Sequence, residues 1–380
     1  MNIWQGAVLA LSSFILPAAG LPSAKISLNG GPQVMYDSAK DGCSGIDTPD
    51  LNPRAFCDAK GEVALFGLHF VNRALRGPDL SHLRIDCAVA LGSNDNPDAA
   101  AYDSRNYIAA TWTDDGSHVA AIVHHEYHAD QFGTCSAKGD LACWYNSLIA
   151  YRSADGGRSF AKAKPFVVAA APFRQEAEQG RHRGFFNPSN IVGEGPHRYF
   201  FGSTTGWGGQ GFGNCLFRSD APADSASWRA YDGKAFAVRF ADPYASAARP
   251  APCQPVGPFV FPVGAVVHLR GAKTWVAVWQ ASRDGRDFPL DGFYYATGTT
   301  LLDWSAPRLL LAGKTLYNGP CDSGGRLLAY PSLLDESARG RNFDDSGPSP
   351  WLYYTELKTS GCGFTGVRRM MRVRLEIKPS

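Results

Sequence analysis

An all-β fold, a β-propeller of five blades of antiparallel sheet, is what this sequence predicts, on three observations. The 380 residues include 41 glycines and 25 prolines, with 44% hydrophobic and 12% aromatic residues. That composition suits many short strands joined by tight turns rather than long helices. A loose unit of roughly fifty residues recurs five times, a period typical of propellers and solenoids. Helical periodicity is thin: the best candidate, "RQEAEQGRHR" at 174–183, is interrupted by Gly180 and has no apolar stripe. It is expected as a loop or one helical turn.

The chain opens on "MNIWQGAVLALSSFILPAAGLPSAK". Its apolar stretch, Ile3 to Leu16, is too short to span a bilayer and is followed by small residues. This is the shape of an export signal over 1–20, although no Lys or Arg precedes the run. A secreted or periplasmic protein is the expectation. No linker, low-complexity tract or charge block divides the remainder, which reads as one propeller domain over 25–380, a monomer with no membrane span. The net charge of +2 carries no electrostatic footprint for nucleic acid. Arg368, Arg369, Arg372 and Arg374 fall largely on one strand face and read as solvated.

Nine cysteines, none inside the leader, fit an oxidising compartment. The loops Cys43 to Cys57 and Cys135 to Cys143 invite local bridges, and Cys215 with Cys253 and Cys321 with Cys362 can close longer ones. Cys87 is then left over, though spacing alone does not fix connectivity. No Cys-x-x-Cys pair exists, which argues against zinc.

The first unit runs through "NPRAFCDAKGEVALFGLHF" and the second through "YIAATWTDDGSHVAAIVHHEYH" and "CWYNSLIAYRSADGGRSF". The third holds "FFNPSNIVGEGPHRYFFGST", "NCLFRSD" and "SWRAYDGKAF"; the fourth holds "GPFVFPVGAVVHLRGAKTWVAVWQASRDG" and "GFYYATGTTLLDWSAPRLLL". The fifth holds "LLAYPSLLDE", "SPWLYYTEL" and "RRMMRVRLEI". Val276 and Val278 alternate with Ala277 and Trp279, apolar on both faces, as expected of sheets stacked face to face around an axis.

"SADGGRSF" at 153–160 first reads as a turn: Asp155 accepts from backbone N–H groups, Gly156 and Gly157 supply positive φ, and Phe160 re-enters a core. The same stretch resembles the Asp-box of sialidases and related propellers, with Ser159 in place of Thr. "TTLLDWSAPRLLL" and "RSDAPADSASWRAYDGKAF" are similar to the weaker blade ends of five-bladed arabinanase-like and fructosidase-like glycosidases, and "NPSNIV" and "YPSLLD" to their inner-strand starts. Five units favour the five-bladed glycosidases, whereas the Asp-box and "NPRAF" resemble six-bladed sialidases. The sialidase resemblance implies that Arg54 binds a substrate carboxylate; the other two arginines and the Tyr/Glu pair of that family have no matching motif here.

The stretch "VHHEYHAD" at 123–130 is unusual, because three histidines around a glutamate at the end of an apolar strand would each need a partner. If extended, it projects His124, Glu126 and His128 to one face and His125 and Tyr127 to the other. That suits a general acid supported by imidazoles, or, as a minor possibility, a metal ion at His124, Glu126 and His128; no other cofactor is expected. The helical zinc-protease spacing is not met.

Glycosidic cleavage needs two carboxyl groups, one to protonate the leaving oxygen and one ionised. Glu126 is the candidate acid/base, and Asp50, Asp86 and Asp322 are candidates for the second carboxylate. Five-bladed glycosidases commonly carry an acid on the third blade's inner strand, where this chain has "NPSN". Arg54, His125, His128, Asn187, Tyr145, Trp207 and Tyr330 are the candidate contacts to a carbohydrate, Trp207 because it sits between glycines in "TTGWGGQGFGN" with no core to fill. That loop lacks the Lys-Ser/Thr end of a phosphate cradle, and the acidic stretch "SNDNPDAAAYD" lacks EF-hand spacing and reads as a solvated loop. The expected function is therefore a glycoside hydrolase-like propeller acting on a carbohydrate in its central funnel. The alternative is a propeller that binds glycan or protein without turnover.

Overall fold

The computed structural model describes residues 24–379 except 140, 177–179 and 248, so the expected leader lies outside the described residues. Two N-terminal strands, β1 (Ala24–Leu28) and β2 (Gln33–Asp37), precede five antiparallel meanders. Blade I is β3 (Arg54–Cys57), β4 (Val63–Phe66), β5 (Leu75–Gly77) and β6 (Arg84–Ile85); blade II is β7 (Arg105–Trp112), β8 (Val119–His128), β9 (Trp144–Ser153) and β10 (Ala161–Ala169). Blade III begins with the broken strand β11 (Arg183–Phe186) and β12 (Val192–Glu194), followed by β13 (His197–Thr204), β14 (Gly213–Ser219), β15 (Arg229–Tyr231) and β16 (Phe236–Val238). Blade IV is β17 (Val263–Leu269), β18 (Thr274–Ala281), β19 (Gly292–Gly298) and β20 (Arg308–Ala312). Blade V is β21 (Arg326–Leu334), the short β22 (Asp345–Ser346) that pairs back onto β17, β23 (Trp351–Ser360) and β24 (Gly363–Pro379). These blades coincide with the five units of the sequence.

Each sheet is apolar on both faces because each face meets a different neighbour. Phe56, Ala64 and Phe66 of blade I pack on Ile108, Ala121 and Val123 of blade II, while Ala55, Val63 and Leu65 pack on Trp351, Tyr353 and Met370 of blade V. Ala110, Ile122 and Leu148 of blade II meet Phe185, Phe200 and Phe217 of blade III. In blade IV, Ala277 and Trp279 face blade III, and Val276 and Val278 face blade V. Five such layers between successive sheets, the fifth joining the last blade to the first, make a closed ring. The ring is also sewn by hydrogen bonds: β1 pairs antiparallel with β24 from Ala24↔Pro379 to Leu28↔Leu375, and β2 continues along the same strand. The edge that blade V would otherwise present is thereby covered.

At the centre stands Arg54, 2% exposed. Its Nε–H donates to the Ala109 carbonyl (2.9 Å), Nη1 to Pro53 O (3.3 Å) and Ser332 Oγ (3.2 Å), and Nη2 to Pro188 O (3.1 Å) and Gly264 O (2.7 Å). One guanidinium thus spends its five donors on the innermost segments of all five blades. Glycine at 264 is required, since a Cβ there would lie 2.4 Å from the Pro331 carbonyl oxygen.

Two expectations are corrected. Cys43 bonds to Cys87, not Cys57, and Cys57 is the free thiol; the other three expected bridges, Cys135–Cys143, Cys215–Cys253 and Cys321–Cys362, are present. A pairing across 44 residues needs the meander of blade I, which spacing does not reveal. The arginines of β24 are not a solvated face: Arg368 pairs with Asp50, Arg369 with Asp37, and Arg372 and Arg374 lie 4.0 and 3.8 Å from the Trp351 ring centre, beside Glu336. In the turn at 153–160, Asp155 accepts from the Ser153 and Ser159 hydroxyls and from the Arg158 and Ser159 N–H groups, with Gly156 and Gly157 at φ 71° and 75°.

Candidate active site

Alternation along the end of β8 turns His124, Glu126 and His128 to one side. Glu126 accepts from His128 Nε2 at 3.2 Å and lies 3.7 Å from His124 Nε2. His125 and Tyr127 turn the other way, into buried packing against Tyr102 and Phe132 respectively. From β9, Asn146 bridges two imidazoles: its Nδ2 donates to His124 Nε2 at 2.6 Å and its Oδ1 accepts from His182 Nε2. Trp144 lies between His128 (4.9 Å, stacked) and His182 (5.1 Å). From blade III, Asn187 comes close enough to His124 to favour its protonated form.

The second carboxylate arrives from the loop before β3. Asp50 pairs with Arg368 of β24, accepts the Tyr330 Oη–H at 3.1 Å and lies 3.3 Å from His69 Nε2. Tyr107 of β7 closes the gap between the two groups, its ring 5.4 Å from His69 and 5.9 Å from His124. Asp50 and Glu126 both act electrostatically on His69, Tyr107 and Tyr330, so the two carboxylates share one site although 76 residues separate them. Asp50 keeps 18% of its side chain exposed and Glu126 10%, so both reach solvent.

Asn187 (φ 43°) and Tyr330 (φ 56°) are two of only five non-glycine residues with positive φ among the described residues. Each precedes a proline, Pro188 and Pro331, whose carbonyl is gripped by Arg54 or by Asn52 Nδ2. Such backbone is costly and persists only where the surroundings enforce it. Here the central hydrogen bonds hold the turn that aims both side chains at the cluster.

Burial sets the charge states. It lowers His69, His124 and His182, the last to about 4, and holds them neutral against the pull of the carboxylates. Burial also raises Tyr107 and Tyr330 well above the usual phenol range, with the two carboxylates adding to it. Burial alone would raise Glu126, but the His128 hydrogen bond and the nearby Arg105 charge outweigh it and lower the group below its ordinary value. Glu126 therefore rests as a carboxylate that accepts the His128 N–H.

Of the residues singled out in the sequence, Glu126, Asp50, His128, Asn187 and Tyr330 come together. The others do not. Arg54 is a structural hub with every donor spent, so it is not free to bind a substrate carboxylate. Asp86 follows the outermost strand of blade I and faces Arg76 Nε at 3.4 Å. Asp322 is exposed in the turn beside the Cys321–Cys362 bridge. His125 is fully buried on the opposite side of β8 and Tyr145 is 2% exposed within a neighbouring apolar cluster. Trp207 packs edge-on against Phe173 and Phe185 and lines a separate pocket on blade III. Among the described residues no three His, Cys, Asp or Glu side chains are arranged to hold a metal ion.

His69, Tyr107, Asn146, His182 and Arg368 were not singled out for the site. His182 alone carried a signal, a histidine amid "GRHRGFF"; the others lie in ordinary strand or loop contexts and become site residues only through blade pairing.

No family model matches the chain, and no curated protein does. Solved structures of similar shape include a thermostable family-43 glycoside hydrolase (11% identity, TM-score 0.47, covering 91% of this chain and 96% of that one). An α-L-arabinofuranosidase from Podospora anserina in complex with cellotriose matches at 11% identity and TM-score 0.47, covering 93% and 97%. An α-L-arabinanase from Cellvibrio cellulosa complexed with arabinohexaose matches at 11% identity and TM-score 0.45, covering 85% and 91%. Similarity this distant assigns no chemistry and no residue to the present chain. Among the described residues no helix is long and apolar enough to cross a membrane.

Proposed function

We propose that this chain is a glycoside hydrolase acting on a carbohydrate at the mouth of the ring. The observation that carries the reading is the meeting of Asp50 and Glu126, from different blades, around His69, Tyr107 and His124. Their partners divide the roles. Asp50 is tied to a guanidinium, which cannot give up a proton, and is suited to the permanently ionised role of base or nucleophile. Glu126 has imidazole partners rather than a fixed guanidinium: once protonated from solvent, it gives that proton to the departing oxygen and returns to the carboxylate that accepts the His128 N–H. Asn187 and Tyr330 read sugar hydroxyls, and Trp144 offers an aromatic surface to a ring.

The rival reading, glycan binding without turnover, is favoured by one observation: Glu126, the proposed acid, lies below its ordinary value and already accepts the His128 N–H, so it is not itself poised to donate a proton. Incubation of the purified protein with plant, bacterial and fungal glycans separates the two. Sugar release by the wild type, absent in Glu126→Gln and unaffected by a chelator, supports hydrolysis. Binding by both proteins with no release supports the rival.

A further inference from the structure

Beside the carboxylate cluster, blade III carries a pocket of about 250 Å³ lined by Arg181, Arg183 and Arg249 together with Trp207 and Phe173. Pocket and cluster share one stretch of chain: His182 turns to Asn146 and Trp144, while its neighbours Arg181 and Arg183 line the pocket. Among the described residues none of the lining side chains is acidic. Among the described residues, neither Arg181 nor Arg249 is engaged by a carboxylate. The lining amide of Gln210 is spent on the Cys253 backbone, accepting its N–H at 2.9 Å and donating to its carbonyl at 3.2 Å. Phe173 lies 5.5 Å from the Arg183 guanidinium and 5.9 Å from the Trp207 ring, so the wall that carries the charge is also aromatic.

A neutral sugar gains little from the Arg181 and Arg249 guanidinium groups, which are exposed to water. A carboxylate or sulfate ester accepts paired, charge-assisted hydrogen bonds from them, and the indole offers a face to the ring that bears it. We propose that this pocket holds the acidic group of a sugar next to the bond at Asp50 and Glu126, so that the substrate class is an anionic glycan. The proposal rests on the hydrolase reading for what happens at the cluster, but its test is one of binding.

Calorimetric titration of the full chain would compare oligosaccharides of polygalacturonate and alginate with their carboxyl-reduced counterparts, and a sulfated oligosaccharide with its desulfated form. Acidic members are expected to bind about tenfold or more tightly than neutral ones, with the preference shrinking as salt rises. The double variant Arg181→Gln, Arg249→Gln should lose the preference. Arg174→Gln, which removes a guanidinium already paired with Glu176, should keep it. Preference for uronates alone or for sulfate alone supports the proposal and names the acid. Equal affinity for acidic and neutral members, no binding of any acidic member, or an unchanged preference in the double variant overturns it. Sugar release is scored separately: acidic preference without release keeps the pocket and removes the hydrolase reading, and neutral sugar release without acidic preference does the reverse.

Discussion

Arg54 Nη2 donates to the Gly264 carbonyl at 2.7 Å, across 210 residues of sequence. With its other donors on blades I, II, III and V, the side chain holds the ring together from inside, and burial alone lowers the guanidinium to about 9. Arg54→Met would leave several central carbonyls without donors. A loss of about 3–5 kcal/mol is expected, the scale for stranding partners of a buried charged group. Arg54→Lys, with three donors for five acceptors, should lie between. Denaturant melts check this; a methionine variant as stable as the wild type would refute the hub.

The five blades were legible because each leaves a local trace: two or three β-rich runs between turns, repeated. Even the unclear alternation at Val276 to Trp279 was informative, since its cause is burial of both faces against different blades. What the sequence did not disclose is which side chains the ring closure brings inward. Arg54 stood beside a motif-like proline and looked like a ligand, but beyond its own blade it serves carbonyls of blades II, III and IV and a hydroxyl of blade V. Arg368 looked like one of four similar strand arginines, yet only the register of β24 puts it against Asp50. Spacing of two residues was enough to group His124, Glu126 and His128, because that relation is local.

The candidate carboxylates now fall into two classes that activity can tell apart. Glu126→Gln and Asp50→Asn should each reduce turnover by about a hundredfold or more, the usual contribution of a positioned acid or base. Asp86→Asn and Asp322→Asn should change it by less than about twofold, because a surface substitution away from the site costs little. Initial rates on whichever glycan is cleaved decide the matter. Equal losses at Asp322 and Asp50 would move the site away from the cluster described here.

The disulfide assignment has a chemical test. Alkylation of the denatured, unreduced protein should label Cys57 alone, and peptide mapping should recover Cys43 linked to Cys87. Label on Cys87 would instead restore the local bridge that the spacing invited. In the folded protein, labelling of Cys57 should be slow, since burial raises its thiol above the ordinary range and leaves little thiolate to react.

His125 gives the fold a pH limit. His125 is 0% exposed, neither nitrogen has a hydrogen-bond partner among the described residues, and Tyr102 packs edge-on at 5.4 Å. Burial holds its value well below the ordinary one of 6.5, so the folded chain keeps it neutral where the unfolded chain takes a proton. Unfolding therefore binds a proton below about pH 6.5, and stability must fall as pH falls, by up to about 1.4 kcal/mol per unit from this group. Above pH 6.5 the contribution is flat. His69, His124 and His182 act in the same direction but sit in the active cluster, so substituting them would confound stability with function. His125→Phe keeps a ring of similar shape against Tyr102 and removes the titrating group. It should melt like the wild type or slightly higher at pH 7.5 and gain about 2 kcal/mol relative to it at pH 5. A gap between the two proteins that stays constant from pH 7.5 to 5 would show that His125 is not the neutral buried imidazole its surroundings require.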